Sequence, residues 1–310
     1  MDPLSDVLAL LKPRSYVSAA FDAGGDWAVR YPHNIGIKCY SIISGQCWLA
    51  VDGLAEPVLL KAGDSFLLPG GRQFVMASDL TLPATESAAV LAAPRVAGVI
   101  VHNGGGGCLM VGSRFFLEHS RGDILLAMLP PVVHLRQEAD QATLLWSVRR
   151  MMQELHEQRP GSALMAEHLA HMMLILALRL HMEESAKSTG PEAGVGWLFA
   201  LADRQMGAAL SAMHAAPAQR WTLQALAQHV GMSRSAFALK FKSMVGASAM
   251  EYLTRWRMLL AGDKLLNSNA PISVIAPSLG YESESAFSTA FKRVMGCSPR
   301  DYVRRDIAAG

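Results

Sequence analysis

Little in this chain invites a disulfide, a metal or a membrane. The 310 residues contain four cysteines, Cys39, Cys47, Cys108 and Cys297, far apart and without CxxC spacing. That pattern is neither a disulfide framework nor a zinc site. The opening Met-Asp-Pro-Leu-Ser-Asp lacks a basic region and a long apolar run, so no signal peptide is expected. The most apolar stretch, Leu164 to Met182, is interrupted by Glu167, His168, His171 and Arg179 and reads as too polar to span a membrane. The glycine run from Asn103 to Gly107 has no following Lys-Ser/Thr and no βαβ context. It reads as a flexible connection rather than a phosphate loop. Charged residues are few, at 17%, and 51% are apolar, a globular rather than a disordered composition. These absences together predict a reduced, cytoplasmic protein long enough for two or three domains.

What the chain does contain is a repeat. Leu223, Gly231, Phe237, Phe241, Gly246 and Tyr252 return as Ile272, Gly280, Phe287, Phe291, Gly296 and Tyr302. The offset is 49 residues as far as the glycine and 50 after it, so one residue is inserted in the second turn. A repeat this regular implies two copies of one supersecondary unit, here helix, tight turn, helix. The net charge of +2 conceals an asymmetry. From Arg220 to Arg305 there are 12 Lys/Arg against 5 Asp/Glu, or +7, which leaves −5 for the remainder. A basic C-terminal module on a mildly acidic body suggests a polyanion for one end only.

Upstream, Asp2 to Leu11 reads as a short amphipathic helix. From Tyr16 to about Gly112 short apolar runs are broken by Gly, Pro and Asp turns, which predicts a barrel or sandwich. The texture changes at Ile124, and Leu125 to Pro131 reads as a boundary. Gln141 to Glu157, Ala163 to Glu183 and Trp197 to His214 carry apolar residues at helical spacing. The second of these is apolar on more than one side, so it needs cover from its own domain or from a second subunit. The expected architecture is α+β and multidomain. It has a cupin-like β-barrel over 1–135, a helical linker or dimerisation region over 136–215, and an all-α module with two helix-turn-helix units over 216–310.

In the first unit Thr222 and Ser233 suit the N-caps of two helices, and Gly231 suits the sharp turn between them. Phe237, Phe241 and Met244 recur at core spacing. Ser233, Arg234, Ser235, Ala238, Lys240 and Lys242 fall elsewhere, and this mixture of arginine, small residues and flanking lysine suits a DNA major groove. In the second unit Ser283, Glu284, Ser285, Ser288 and Thr289 are the groove-facing candidates, with Lys292 and Arg293 near the backbone. The long helix between the units, Glu251 to Leu266, carries Arg257 as a further DNA-contact candidate. A rigid connector would let one monomer read two successive major grooves, which lie about 34 Å apart. Pro277 falls inside the scaffold helix of the second unit, where it removes a backbone bond and can kink the helix.

Trp221-Thr-Leu-Gln-Ala-Leu-Ala, Gly231-Met-Ser-Arg-Ser-Ala-Phe237, Gly280-Tyr281 and the ending from Phe287 to Pro299 resemble the DNA-binding domain of the AraC/XylS family of bacterial transcription regulators. The resemblance covers roughly 100 residues. Gly63 to Gly71, with Ser44 to Leu49 before it, resembles the second motif of a cupin barrel. The combination is similar to AraC-type regulators with a cupin sensor domain. It implies double-stranded DNA as partner, a small-molecule effector and contact with RNA polymerase; a homodimer is expected from the apolar Leu164 to Met182 helix, and the competing class, a catalytic cupin fused to a DNA-binding tail, is disfavoured by missing histidines, so no catalytic residues are expected. Many enzymatic cupins hold a metal through histidines, but here Phe74 stands at the motif's histidine position and Lys38 to Ser41 replaces the earlier His-rich stretch. No metal and no other cofactor is therefore expected. A barrel without its metal can still hold a small ligand, with Arg30, His33, Tyr40, Trp48 and His102 as candidates. Cys47 and Cys108 are a candidate redox pair, which would make the chain a ligand-free, oxidation-driven regulator.

Overall fold

The computed structural model describes residues 2–11, 14–33, 36–69, 71–96, 98–116, 132–135, 138–157, 159–187, 196–268 and 270–309. The expected boundary at 124–131 and most of the expected linker after Ser185 lie outside these residues. The chain divides into two compact units, one from the described parts of 14–117 and 130–181, the other from 2–11 and 182–309.

The first unit is built on a curled sheet. Its strands are β1 (Arg14–Ala23), β2 (Ala28–Tyr31), β3 (Ile37–Val51), β4 (Val58–Lys61), β5 (Ser65–Leu68), β6 (Phe74–Ala77), β7 (Thr85–Glu86), β8 (Arg95–Val96), β9 (Val99–His102), β10 (Cys108–Phe116) and β11 (Val133–Leu135). They run in the order β7-β2-β6-β3-β10-β1-β9-β8, with β4 and β5 on β3 and β11 on β5. A short helix, α1 (Pro3–Leu11), precedes the strands, and α2 (Ser87–Leu91) lies among them.

The strand β3 makes the curl. Its first part pairs with β5 and β10, and its last part with β4 and β6. It turns the corner at Gly45, whose φ is 76° and where an added Cβ would lie 1.9 Å from the Gly107 carbonyl oxygen. Any side chain there would open the sheet.

The concave face holds the core, including Phe21, Trp27, Tyr31, Tyr40, Phe66 and Phe74. The opposite face of β3 and β10 is covered as well. Two helices, α3 (Glu138–Glu157) and α4 (Ser162–Lys187), follow the strands. The Ser113 hydroxyl donates to Met151 Sδ at 3.6 Å, and the ring of His171 lies 5.7 Å from that of Phe115. Cover on both faces explains why Ile37 to Ile42 are all buried rather than alternating.

Pro160 and Gly161 form the turn between α3 and α4. Gly161 has φ 87°, and the Ser162 hydroxyl donates to Glu154 at 2.8 Å. By length and composition alone α4 could cross a membrane, which the sequence reading did not allow. In this unit it is a core helix. Ala166, Leu169, Ala170, Met173, Leu174, Ala177 and Leu178 bury one stripe, while His168 and Arg179 are exposed.

The second unit contains α1 together with α5 (Trp197–Ala202), α6 (Arg204–Ala215), α7 (Leu223–His229), α8 (Arg234–Val245), α9 (Ala249–Asn267), α10 (Ile272–Ser278), α11 (Glu284–Met295) and α12 (Pro299–Ala309). The region 136–215 is therefore not a separate body. Its first two helices belong with the sheet, and α5 and α6 belong with the C-terminal helices, because each buries its apolar stripe there. Nor does α1 belong with the sheet: it packs on α6 and α9. There His214 is buried, stacked 3.8 Å from the Trp256 ring, with Nε2 2.8 Å from the Tyr252 hydroxyl and Nδ1 3.4 Å from Asp6. Burial pushes its pKa down to about 3, only partly opposed by the acidic Asp2. The imidazole is thus neutral near pH 7, and the contact with Asp6 is not an ion pair.

Candidate nucleic-acid interface

The two helix-turn-helix units share their turns and second-helix caps bond for bond, and differ at the first helix, which Thr222 caps in one and Pro271 begins without a side-chain cap in the other. In the first, Thr222 Oγ1 accepts from the Ala225 N–H at 3.0 Å and starts α7. The Gly231 N–H donates to Gln228 O and the Met232 N–H to Ala227 O. Ser233 Oγ then accepts from the Ala236 N–H and starts α8. In the second, Gly280 N–H donates to Pro277 O, Tyr281 N–H to Ala276 O, and Ser283 Oγ accepts from the Ala286 N–H. Both glycines are left-handed, with φ 68° and 80°, where a Cβ would be strained.

Phe237 and Phe241 meet at 5.6 Å and Phe287 and Phe291 at 5.8 Å. Each pair closes on a tyrosine, Tyr252 or Tyr302. Pro277 does not disturb this. It sits one residue before the end of α10, and the turn beyond it keeps the bonds of the first copy. The inserted residue of the second turn is Glu282, whose carboxylate pairs with Arg220.

The second helix of each unit presents an exposed edge. On α8 this is Arg234, Ser235, Leu239 and Lys242, with Ala238 half-buried beside them. On α11 it is Glu284, Ser285, Thr289, Lys292 and Arg293, with Ser288 half-buried. The cap serines 233 and 283 each accept a backbone bond, which leaves the hydroxyl hydrogen free to donate to a phosphate. Glu284 lies in the first turn of α11, where the helix dipole favours an acid. Thr289 donates its own proton back to Ser285 O at 2.9 Å, so towards a base it can only accept.

Leu239 was not among the expected contacts. It is 75% exposed, one turn beyond Ser235 on the same face. The signal in the sequence was an apolar residue outside the Phe237/Phe241 spacing. In a major groove an exposed leucine suits a thymine methyl.

Two expected contacts are engaged elsewhere. Lys240 Nζ lies 2.7 Å from Asp203 and 3.2 Å from Gln205 Oε1. Burial would raise the Asp203 pKa, but hydrogen bonds from Lys240, Met206 and Gln205 hold it below the usual range. Asp203 also caps α6, so Lys240 straps α8 to α6. With Arg204 and His229 these residues line an open groove of about 570 Å³.

Arg257 is half-buried. Its Nε donates to Pro217 O at 2.7 Å and one Nη to Gln219 O at 2.8 Å, and its guanidinium lies 5.8 Å from the Tyr281 ring centroid. It therefore ties the segment before the first unit to α9 and to the second turn, rather than reaching outward.

In the sheet unit the five expected ligand residues do not converge. Arg30 is on the surface, 3.6 Å from Glu86, and His33 is exposed. Trp48 lies between the buried Cys47 and Leu49 and so faces away from them. His102 stacks on Phe21 at 5.9 Å, and Tyr40 alone is deep in the core, stacked on Phe66 at 5.1 Å. Among the described residues no three His, Cys, Asp or Glu side chains converge as a metal site.

The glycine run is pinned rather than flexible. Gly106 N–H donates to Asp22, Gly107 N–H to Ala23 O, and Asn103 Nδ2 to Asp26 O. The redox candidates do meet. The thiols of Cys47 and Cys108 are hydrogen-bonded and both residues are buried, and that bond, with burial, holds Cys47 protonated.

Comparison with known proteins divides the chain at nearly the same place, except that the cupin match takes in α1. The cupin family matches residues 2–183 and the helix-turn-helix domain family residues 226–305. A Streptomyces lividans protein named as an AraC-like transcription regulator is 42% identical over 97% of this chain and 98% of its own. The Escherichia coli RCS-specific HTH-type transcriptional activator RclR is 28% identical over 98% of each chain. Among solved structures, the C-terminal domain of AraT, a response regulator from Geobacillus stearothermophilus, is 33% identical. It covers 33% of this chain and 86% of that one, with a TM-score of 0.33.

Proposed function

The chain belongs to the AraC/XylS family of DNA-binding transcription regulators with an N-terminal cupin domain, and from that premise we propose that one monomer reads two adjacent major-groove segments and that a signal in the cupin unit sets how well it does so. The observation that carries this reading is the pair of identically built turns. Each presents a second helix with an exposed polar edge, Arg234, Ser235 and Lys242 in one and Ser285, Thr289 and Arg293 in the other. Arginine can bond guanine bidentately, small residues let the helix approach the base edges, and lysine neutralises phosphate.

A signal acts by shifting the population between presentations of the DNA-binding units, which changes occupancy or contact with RNA polymerase. The protein works in the cytoplasm as a homodimer. That assembly rests on Leu164 and Met165, both exposed on α4, and on half-buried Met172, Ile175 and Leu176 further along it. Sedimentation of a monomer at micromolar concentration would remove the dimer. Selection of binding sites from random DNA, followed by footprinting, tests the reading itself. Two protected blocks one helical turn apart, about 10 base pairs, are expected; a single block, or no preferred sequence, would contradict it.

A second reading rests on the paired thiols. A two-electron oxidant such as hydrogen peroxide would take two electrons and two protons from Cys47 and Cys108, leaving a disulfide and water. Alkylation and mass spectrometry before and after peroxide decide this. Two free thiols after treatment would exclude it.

A further inference from the structure

The two reading helices differ in charge at the end that enters a groove. From Gly231 to Phe241 the first unit carries Arg234 and Lys240 and no acid. From Gly280 to Phe291 the second carries Glu282 and Glu284 and no base, and Lys292 and Arg293 come only in the last turn of α11. In a helix-turn-helix the N-terminal end of the second helix goes into the groove. Two carboxylates there face the phosphates that line it and oppose binding. The cation missing from this end comes from another part of the chain.

Glu282 pairs with Arg220, which lies before the first helix of the first unit, and the two side chains are 75% and 81% exposed. An exposed ion pair adds little stability, and the loop that carries Arg220 is fixed without it. The Gln219 N–H donates to Ala216 O at 3.1 Å, the Trp221 backbone N–H to Gln219 O at 2.7 Å, and the Trp221 indole N–H to Ala216 O at 3.0 Å. From α9, Arg257 holds the Pro217 and Gln219 carbonyls. The same loop lies against the second turn, where a Cβ on Gly280 would be 2.5 Å from the Ala218 carbonyl oxygen. The backbone on either side of Arg220 is thus tied down beside the turn that starts α11, and Glu282 directly precedes the cap of that helix, Ser283.

We propose that Arg220 is a DNA-contacting residue of the second reader. Its guanidinium binds a backbone phosphate flanking the groove segment that α11 enters, and Glu282 keeps it aimed there. A guanidinium presents several N–H donors in a fixed fork. One Nη donates to the Glu282 carboxylate, which leaves donors for a phosphate. Arg220 is the group that touches DNA, and Glu282 is a positioning residue. The contact deepens the two-groove reading above and rests on it. It also joins the readers, because a residue placed before the first unit in the chain serves the second.

Binding of the full-length protein to a duplex carrying its selected site, followed by fluorescence anisotropy from about 50 to 200 mM salt, tests the contact. Arg220→Ala is expected to reduce the slope of log affinity against log salt by about one, so the wild-type advantage shrinks roughly threefold across that range. Arg220→Lys should keep the slope, because a lysine also neutralises a phosphate. The decisive comparison is made in a Glu282→Gln background. A phosphate contact means that Arg220→Ala lowers the slope there as well. An arginine that only shields the acid has no effect once the acid is gone, and that result overturns the proposal. Uncharged methylphosphonates then locate the contact. Placed one at a time in the second reader's block, the one whose sequence preference survives Arg234→Ala, one of them should weaken wild type roughly threefold and leave Arg220→Ala unchanged. Equal weakening of both proteins at every position overturns the contact. In Glu282→Gln the slope should stay while the sensitivity spreads to neighbouring phosphates; a single sensitive phosphate would deny Glu282 its aiming role. Both residues are exposed, so melting temperatures equal to wild type show that the variants fold. A footprint of one block refutes the two-groove reading itself, whereas two blocks with an unchanged slope in Arg220→Ala refute only the contact.

Discussion

Replacing Arg257 with alanine separates a structural arginine from a DNA-contacting one. Its guanidinium donates to the carbonyls of Pro217 and Gln219 at 2.7 and 2.8 Å. Hydrogen bonds from a charged donor contribute about 1.5–3 kcal/mol each. The first carbonyl is half-buried and stays unpaired after substitution, whereas the second is exposed and regains water. The proximity to Tyr281 adds about 0.5–1 kcal/mol. The expected local loss is therefore about 2–4 kcal/mol, which is roughly a 30- to 1,000-fold faster opening. Hydrogen exchange of the full-length protein, read on peptides covering 217–222, 252–262 and 275–282, measures it directly. Arg257→Lys, with one donor point instead of a fork, should recover a minor part. A phosphate contact would leave exchange unchanged and reduce the slope of log affinity against log salt by about one. That second pattern would refute the role assigned to Arg257.

Other expectations follow from the same geometry. Arg234→Ala should cost about 1–3 kcal/mol on the specific site and less on random DNA, by competition anisotropy; equal losses would deny it a base contact. Leu239→Ala should relax discrimination at one thymine position, seen as a change in the selected sequence rather than in bulk affinity. Lys242→Ala should reduce the salt slope by about one, whereas Lys240→Ala should leave the slope intact and loosen α8 by about 0.2–1 kcal/mol. For His214 the folded pKa of about 3 lies below the ordinary 6.5. The unfolded chain therefore binds a proton first as pH falls, and stability drops from about pH 6.5 downward by at most 1.4 kcal/mol per pH unit. His214→Phe, which keeps the stack on Trp256, should flatten that acid limb in thermal melts between pH 7 and 4.5.

Features set by local chemistry were legible in the sequence. The caps at Thr222, Ser233 and Ser283 and the turns at Gly231 and Gly280 need only a few neighbouring residues, and the structure has them. The cupin half was less legible. Its candidates were chosen by residue type, but strand phase decides which way a side chain points, and phase placed Trp48 opposite the core and Arg30 outside it. The intramolecular roles of Lys240 and Arg257 were not legible because their partners, Asp203 and the carbonyls of Pro217 and Gln219, are remote in sequence. Backbone carbonyls leave no signature at all in a list of side chains. The same holds for the glycine run: its anchors on Asp22, Ala23 and Asp26 come from another strand and the turn after it.

The placement of α1 has a consequence for synthesis. Its buried Leu4 and Val7 are synthesised before the sheet, while its partners α6 and α9 begin at Arg204 and Ala249. The cupin unit can therefore collapse while the leading helix still waits, apolar face uncovered, for roughly two hundred residues to follow. The DNA-binding unit is the last to close, and it closes with a segment made before the sheet. Deleting α1 would thus act on DNA binding, although by position in the sequence the helix adjoins the cupin strands.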